Sequence, residues 1–223
     1  MFSPKLVLID LDGTLVDSVP DLAHAVDAMM QDLRLPEHGE TSVRNWVGNG
    51  IERLVKRALT GDLHAEPDAE LYEKAFPIFY KHYLDSNGKY SRLFPGVKEG
   101  LEILKNKNVT IACVTNKAES FTLPLLEAKG ILNYFGVVVS GDTTPKKKPA
   151  PEPLWYAAEH FSIKPEESLM LGDSMHDVEA ARNAGFQVIA VTYGYNHGAD
   201  INDARPDAVI DNFVELENLI QAN

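Results

Sequence analysis

A short aliphatic run near the start of the chain ends abruptly in two aspartates, in the stretch LIDLDGTL at residues 8–15. Residues 5–9 do not alternate with polar ones, which predicts a strand buried on both faces, as in parallel sheets covered by helices. Open α/β sheets place their ligands at the carboxyl ends of such strands. Because residues two apart on an extended chain point the same way, Asp10 and Asp12 are expected to converge on one cation or one reacting group.

Strand-like and helix-like segments alternate from about Val97 onward, which predicts βαβ units and a parallel sheet. Further strands are predicted at residues 109–114, 136–140, 168–171, 188–191 and 208–210. Helices are predicted at about 96–108, before Gly130, and at 152–161, 176–184 and 213–221. The expected fold class is therefore α/β, with a Rossmann-like parallel sheet core.

Residues from about Val19 to Tyr90 interrupt this alternation, because their apolar side chains recur at helical spacing and form no convincing strand. We predict an all-helical insertion at residues 18–90 in a core made of residues 1–17 and 91–223. Since the insertion leaves the core just after Asp12, it is expected over the same sheet edge as the carboxylates. A lid that opens and closes over a site is one use of such a segment.

Composition excludes several classes of partner. The 21 basic and 33 acidic residues give a formal charge of −12, which argues against a nucleic-acid partner. No apolar run is long enough for a membrane span, and the first residues are too short for a secretory leader. Cys113 is the only cysteine, so an intramolecular disulfide is impossible and a cytoplasmic location is the default. The pattern does not choose between a monomer and a homodimer.

Polar groups follow the predicted strands at four places along the chain. They are Asp10 with Asp12, Thr115 with Asn116, Lys148 in a lysine run before Pro149, and Gly172-Asp173-Ser174 with Asp177. Together they supply the nucleophile, hydroxyl donor, cation and metal ligands that phosphoryl transfer through a covalent aspartate requires. Taken singly, each has a plainer interpretation: surface carboxylates, a helix N-cap at Thr115-Asn116, or a solvated loop in which Lys147 is the alternative to Lys148.

These stretches resemble the ordered motifs of the haloacid dehalogenase superfamily of phosphatases: DLDGTLVDS at residues 10–18, TN at 115–116, KP at 148–149 and GDSxxD at 172–177. The resemblance covers the core from its first strand to its last. The helical insertion is similar to the family's C1-type cap. The segments NWVGNG at residues 45–50 and KPAPEPL at residues 148–154 most resemble those of the phosphoglycolate phosphatase branch of the family.

The resemblance implies a role for each matched residue. Asp10 would attack phosphorus, and Asp12 would act first as general acid and then as general base. Thr115 and Asn116 would hydrogen-bond the transferring oxygens, and Lys148 would balance the charge of Asp10 and the phosphate.

A magnesium ion is the implied cofactor, because oxygen ligands and clustered carboxylates suit it. Asp10, the backbone carbonyl of Asp12, and Asp173 would hold the ion, with Asp177 as a supporting residue or ligand. Gly13 is expected to turn the chain so that backbone amides face an anion. In the insertion, Gly48, Asn49 and Gly50 are candidate substrate contacts, and a plain loop is the other interpretation.

The resulting hypothesis is a Mg²⁺-dependent phosphomonoesterase acting on a small phosphorylated metabolite, with 2-phosphoglycolate as the leading substrate. The alternatives are another small-metabolite phosphatase acting on a sugar phosphate or pyrophosphate, and a phosphotransferase of the β-phosphoglucomutase type. A dehalogenase would have little use for Asp12. A non-catalytic phosphate-binding module, the remaining alternative, would need neither a leaving-group acid nor a lid.

Overall fold

The chain forms two compact units in the computed structural model, which describes residues 1–48, 50–196 and 198–222. The first unit comprises Met1–Asp17 and Leu93–Asn223, and the second comprises Ser18–Arg92. The strands are β1 (Leu6–Ile9), β2 (Val16–Asp17), β3 (Arg92–Leu93), β4 (Thr110–Val114), β5 (Val137–Val139), β6 (Ser168–Gly172), β7 (Gln187–Val191) and β8 (Ala208–Ile210). The α-helices are α1 (Val19–Asp32), α2 (Gly39–Trp46), α3 (Ile51–Thr60), α4 (Ala69–Ser86), α5 (Val97–Asn106), α6 (Glu119–Ala128), α7 (Glu152–His160), α8 (Met175–Ala184) and α9 (Leu216–Leu219).

A parallel sheet of six strands forms the centre of the first unit, in the order β5-β4-β1-β6-β7-β8. The α/β fold class is confirmed, and each predicted strand is present. The four residues of β1 are fully buried. Val7 and Ile9 pack into one apolar cluster, and Leu6 and Leu8 pack into the cluster on the other face. This period of two explains why the strand carries no polar residue.

The strand order brings the predicted site residues to one edge. The chain runs outward from β1 through β4 to β5, then crosses back to β6 on the other side of β1 and continues to β8. The carboxyl ends of β4, β1 and β6 are therefore neighbours at the point where the strand order reverses, which is where open α/β sheets bind ligands. The two short strands β2 and β3 form a separate sheet.

The predicted length of the final helix, residues 213–221, is wrong. The structure has a 3₁₀ turn at Phe213–Glu215, followed by the four residues of α9. The Glu215 carboxylate accepts hydrogen bonds from the backbone N–H groups of Asp211 and Asn212, each at 2.9 Å, which winds the first turn tightly. The helix ends because Ile220 pairs with Phe2 as an isolated β-bridge.

The second unit contains the four helices α1 to α4, as the helical periodicity predicts. Its interior includes the fully buried side chains of Val26, Met29, Val55, Phe79 and Tyr83. Among the described residues of the whole chain, no helix combines the length and the apolar composition that crossing a membrane needs.

A buried carboxylate joins the two ends of the second unit. Asp21, in the first turn of α1, is fully buried. Its carboxylate accepts hydrogen bonds from the backbone N–H groups of Gly88 at 2.7 Å, Tyr90 at 2.6 Å and Ser91 at 3.1 Å. These donors lie beyond the end of α4, so one side chain fixes the start of the unit to its end.

We expect Asp21→Asn to lower the free energy of unfolding by about 2–4 kcal/mol, because an amide offers one acceptor oxygen and presents N–H groups to buried N–H donors. Urea denaturation followed by tryptophan fluorescence measures the change, since Trp46 is buried in this unit. Asp32→Asn on the same helix is the matched control. Its exposed pair with His82 is worth at most about 1 kcal/mol. Equal losses in the two variants would contradict the role given to Asp21.

Candidate active site

Three carboxylates meet at the carboxyl edge of the sheet. Asp10 directly follows β1, Asp173 directly follows β6, and Asp177 lies in the first turn of α8. One oxygen from each of these aspartates lies within 4.8 Å of the others. The structure thus brings Asp10 together with Asp173 and Asp177, which follow it by more than 160 residues of sequence.

The Lys148 ammonium lies inside this cluster with only 2% of its side chain exposed. Its Nζ is 2.8 Å from Oδ1 of Asp10 and 2.7 Å from Oδ1 of Asp177, and it donates to the carbonyl of Val114 at 2.7 Å. Lys147, the alternative considered from the sequence, is exposed. Lys148 is therefore the lysine that the fold turns inward.

Burial and mutual repulsion raise the pKa values of Asp10 and Asp173. Burial raises the pKa of Asp10 to about 7; Lys148 opposes the rise, and Asp177 and Asp12 add to it. Burial, followed by the charges of Asp10 and Asp177, also raises the pKa of Asp173 well above its usual range. Burial alone would lower the pKa of Lys148, but the two carboxylates outweigh it and raise that pKa. The lysine therefore stays charged.

The donor set fits a divalent cation. The cluster has three carboxylates, and the Lys148 ammonium pairs with two of them, so the ionised cluster has an excess of negative charge that a cation would neutralise. The buried Oδ1 of Asp10 has the Lys148 ammonium 2.8 Å away, and no other donor among the described residues hydrogen-bonds it. An all-oxygen set of clustered carboxylates suits Mg²⁺ or Ca²⁺ better than softer metals.

Two of the aspartates are held by hydrogen bonds from the protein. Asp173 accepts from the Thr14 hydroxyl at 2.8 Å and from the backbone N–H of Tyr195 at 2.7 Å. Asp177 accepts through Oδ2 from the backbone N–H groups of Asp173 and Ser174 and from the Ser174 hydroxyl. Its Oδ1 pairs with Lys148. Asp177 thus has both oxygens engaged by protein groups, whereas Asp10 does not.

Gly13 lets the β1–β2 turn approach Asp173 closely. Its φ of +91° lies in the region that favours glycine, and a Cβ at this position would lie 2.3 Å from an oxygen of Asp173. The Gly13 N–H donates to the carbonyl of Val16 at 3.0 Å. The structure therefore gives Gly13 a packing role beside Asp173, while its amide is used within the turn.

A second buried lysine, which the sequence interpretation left without a role, contacts Asp12. Nζ of Lys117 lies 3.2 Å from Oδ1 and 3.1 Å from Oδ2 of Asp12, and the lysine side chain is only 4% exposed. Asp12 is 20% exposed. One feature of the sequence could have indicated Lys117 as a site residue: it directly follows Thr115 and Asn116 at the end of β4.

Asn116 uses its side-chain amide to hold the Lys148 loop. Its Nδ2 donates to the backbone carbonyl of Lys148, and its Oδ1 accepts from the backbone N–H of the same residue, both at 2.9 Å. Thr115 is buried, and its hydroxyl oxygen accepts from the backbone N–H of Lys117 at 3.2 Å. The hydroxyl hydrogen of Thr115 is not needed for that bond and can be donated to another group.

The remaining predicted residues lie in the second unit, in the connection between α2 and α3. Gly48 and Gly50 have φ values of +120° and +91°. The buried Arg57 guanidinium donates to the carbonyl of Trp46 at 2.5 Å and to that of Gly48 at 3.3 Å. This connection is thus held from within its own unit. Asn49 lies outside the described residues.

Comparison with known proteins agrees with this arrangement. The family model described as "Haloacid dehalogenase-like hydrolase" matches residues 7–191. A phosphoglycolate phosphatase of Nitrosococcus oceani is 57% identical over 217 residues, covering 97% of this chain and 96% of that protein. A phosphoglycolate phosphatase of Pseudomonas putida is 46% identical over 214 residues, covering 96% of this chain and 78% of that protein.

A solved structure also matches this chain over nearly its whole length. The crystal structure of a predicted phosphoglycolate phosphatase from Haemophilus somnus matches with a TM-score of 0.91 and 36% identity, covering 98% of this chain and 99% of that chain. The resemblance inferred from the motifs is confirmed by this match and by the two relatives. With its acidic cluster at the carboxyl ends of β1 and β6, this chain belongs to the haloacid dehalogenase-like hydrolase family.

Proposed function

We propose that this protein hydrolyses a small phosphomonoester through a phosphorylated Asp10, with Mg²⁺ as cofactor and 2-phosphoglycolate as substrate. The observation that carries the proposal is the buried Lys148 ammonium, 2.8 Å from Oδ1 of Asp10 and 2.7 Å from Oδ1 of Asp177, in a cluster of three carboxylates. Relatives that match nearly the whole chain bear the name phosphoglycolate phosphatase, which favours that substrate.

Asp10 performs the first displacement. A carboxylate oxygen of Asp10 attacks phosphorus and forms an O–P bond, while the bond from phosphorus to the substrate oxygen breaks. Lys148 remains beside the carboxylate as a fixed positive charge and offsets the charge of the transferring group. Thr115 donates its hydroxyl hydrogen to a phosphoryl oxygen. Since one N–H of the Asn116 side-chain amide already holds the Lys148 loop, its second N–H and the backbone N–H of Asn116 are the groups proposed to contact the phosphoryl group.

Asp12 carries the proton in both half-reactions. It donates a proton to the departing alkoxide, then accepts one from the water that attacks the phosphorylated Asp10 and releases phosphate. Its partial exposure suits this exchange. The Lys117 ammonium, 3.1–3.2 Å from both oxygens, holds the Asp12 carboxylate in place.

Asp10 and Asp173 would hold Mg²⁺ through their carboxylates, and Asp12 would hold it through its backbone carbonyl. When bound, the ion neutralises negative charge on the nucleophile and on the phosphoryl oxygens. Asp177 orients Asp173 and Lys148 through the contacts described above.

The helical unit Ser18–Arg92 is proposed to act as a cap, with Gly48, Asn49 and Gly50 contacting the substrate. The partner is a small phosphorylated metabolite, and the single cysteine favours a cytoplasmic location.

Phosphate release from 2-phosphoglycolate, glucose phosphates and pyrophosphate, with Mg²⁺ or with a chelator, tests the proposal. We expect a preference of about a hundredfold in kcat/KM for 2-phosphoglycolate, and a loss of at least about a thousandfold in kcat for Asp10→Asn. Asp203→Asn, on an exposed turn of the same unit, is the control. Conversion of glucose 1-phosphate to its isomer without phosphate release would favour a mutase. Full turnover by Asp10→Asn would rule out the covalent route.

Substitutions of Lys148 and Lys147 distinguish the role of the buried lysine from that of its exposed neighbour. Lys148→Met is expected to lower kcat by about a hundredfold or more, because the displacement loses its fixed cation. It also leaves buried carboxylates unpaired, at a cost of about 3–5 kcal/mol in stability. Lys148→Arg keeps the charge and provides a variant for assay if the methionine variant does not fold. Lys147→Met should match the wild-type protein in kcat and Tm, and an equal loss in that variant would contradict the assignment.

Magnesium is expected to raise the Tm of the wild-type protein, since a ligand that binds only the folded state stabilises it. Asp173→Asn should remove most of that rise, because it removes one carboxylate from the cluster. Differential scanning fluorimetry in Mg²⁺ and in chelator measures both effects. Asp203→Asn should keep the wild-type rise, and an undiminished rise in Asp173→Asn would exclude Asp173 as a ligand.

A further inference from the structure

The segment after β7 carries two tyrosines beside the acidic cluster, and the mechanism does not use their hydroxyl groups. The backbone N–H of Tyr195 donates to Oδ2 of Asp173 at 2.7 Å. Gly194 permits this approach, because a Cβ at that position would lie 2.1 Å from Cβ of Asp173. The main chain of this segment therefore packs directly against the carboxylate proposed to bind the metal.

The phenol of Tyr195 reaches in a different direction, to the end of β2. Its hydroxyl donates to Oδ1 of Asp17 at 2.5 Å, and only 6% of Tyr195 and 7% of Asp17 are exposed. Asp17 is the last residue of the first unit before the chain enters the helical insertion. One residue thus hydrogen-bonds both Asp173 and the strand from which the insertion departs.

Neighbouring residues add further contacts to this connection. The Tyr193 hydroxyl donates to the Thr14 carbonyl at 2.9 Å, and the Thr14 hydroxyl donates to Asp173 at 2.8 Å. The ring of Phe94, just after β3, lies 4.4 Å from the Tyr193 ring and 6.4 Å from the Tyr195 ring, measured between centroids. The tyrosine segment is therefore joined to the chain on both sides of the insertion.

We propose that Tyr195 is a positioning residue that acts through Asp173: by anchoring its phenol on Asp17, it holds the metal-binding carboxylate in register with β2. The inference rests on the proposed function, because it takes Asp173 as a ligand of Mg²⁺. Groups that orient metal ligands typically change metal affinity by about 10–100-fold when removed.

Isothermal titration of the metal-free protein with MgCl₂ tests the proposal without any substrate. Tyr195→Phe removes the phenol hydroxyl but keeps the ring and the backbone N–H to Asp173. We expect the Kd for Mg²⁺ to rise about tenfold. The matched control is Tyr134→Phe, which also removes a 2.5 Å hydrogen bond from a phenol to a carboxylate, that of Glu102. Tyr134 precedes β5, at the amino ends of the strands and away from the acidic cluster. Its Kd should stay within about twofold of wild type.

Activity against Mg²⁺ concentration gives a second measurement. For Tyr195→Phe, kcat/KM is expected to fall at limiting Mg²⁺ and to recover at saturating Mg²⁺. Assayed well below the Tm of the metal-free variant, where the protein stays folded without Mg²⁺, a general loss of stability would not produce this pattern. Wild-type Mg²⁺ affinity in Tyr195→Phe would overturn the inference. An equal loss of affinity in Tyr134→Phe would overturn it as well.

Substitutions of Asp17 test the other end of the hydrogen bond and decide the question if Tyr195→Phe does not fold. Asp17→Ala removes the acceptor and should weaken Mg²⁺ binding about as much as Tyr195→Phe. Asp17→Asn keeps an acceptor oxygen and should restore most of the affinity. Wild-type affinity in Asp17→Ala would overturn the inference.

The wild-type protein separates this inference from the proposed function. If it neither binds Mg²⁺ nor releases phosphate, the proposed function fails. If it does both and the Tyr195 and Asp17 variants bind Mg²⁺ unchanged, only the positioning role fails.

Discussion

The buried ammonium of Lys148 is the contact on which the order of the site depends. It lies between Asp10 and Asp177 and donates to the carbonyl of Val114, so β1, β4 and α8 meet at one positive charge. Without that charge, carboxylates brought out of water side by side would repel each other and take up protons instead. The two hydrogen bonds of Asn116 to the Lys148 backbone fix the loop that carries it.

The four aspartates of the site differ in how many hydrogen bonds they accept from the protein. Asp173 and Asp177 accept from backbone N–H groups and hydroxyls, and at most 3% of either residue is exposed. The side chains of Asp10 and Asp12 are 13% and 20% exposed, and each faces a lysine. The two aspartates held by several fixed donors suit a supporting role, and the two more accessible carboxylates are the ones proposed to act on the substrate. This pre-organised charge is what displacement at phosphorus needs from a protein.

Much of this arrangement could be predicted from local sequence. The aliphatic runs located the strands of the main sheet, and the rule that parallel strands end at one edge brought Asp10 and Asp173 together. Lys148 could be placed only through its motif, because three successive lysines look alike until the fold buries one of them. The roles of Lys117 and of the Asn116 amide depend on distances across the sheet edge, which spacing along the chain does not give.

The end of the chain shows a similar limit. The apolar pattern at residues 213–221 suits a helix, but a β-bridge from Ile220 to Phe2 ends it at Leu219. Tertiary partners far away in sequence decided these details, as they commonly override local preference.

The position of β1 has a consequence for how the molecule is made. This fully buried strand pairs with β4 on one side and β6 on the other, and β6 begins only at Ser168. During synthesis from the amino terminus, β1 therefore waits with an open apolar edge until three quarters of the chain has emerged. The acidic cluster is completed by the residues that follow the same late strand, so its three aspartates come together only when the sheet is nearly complete. Non-local pairing of this kind slows folding, and an exposed central strand is the part of a nascent chain most prone to pair with another copy.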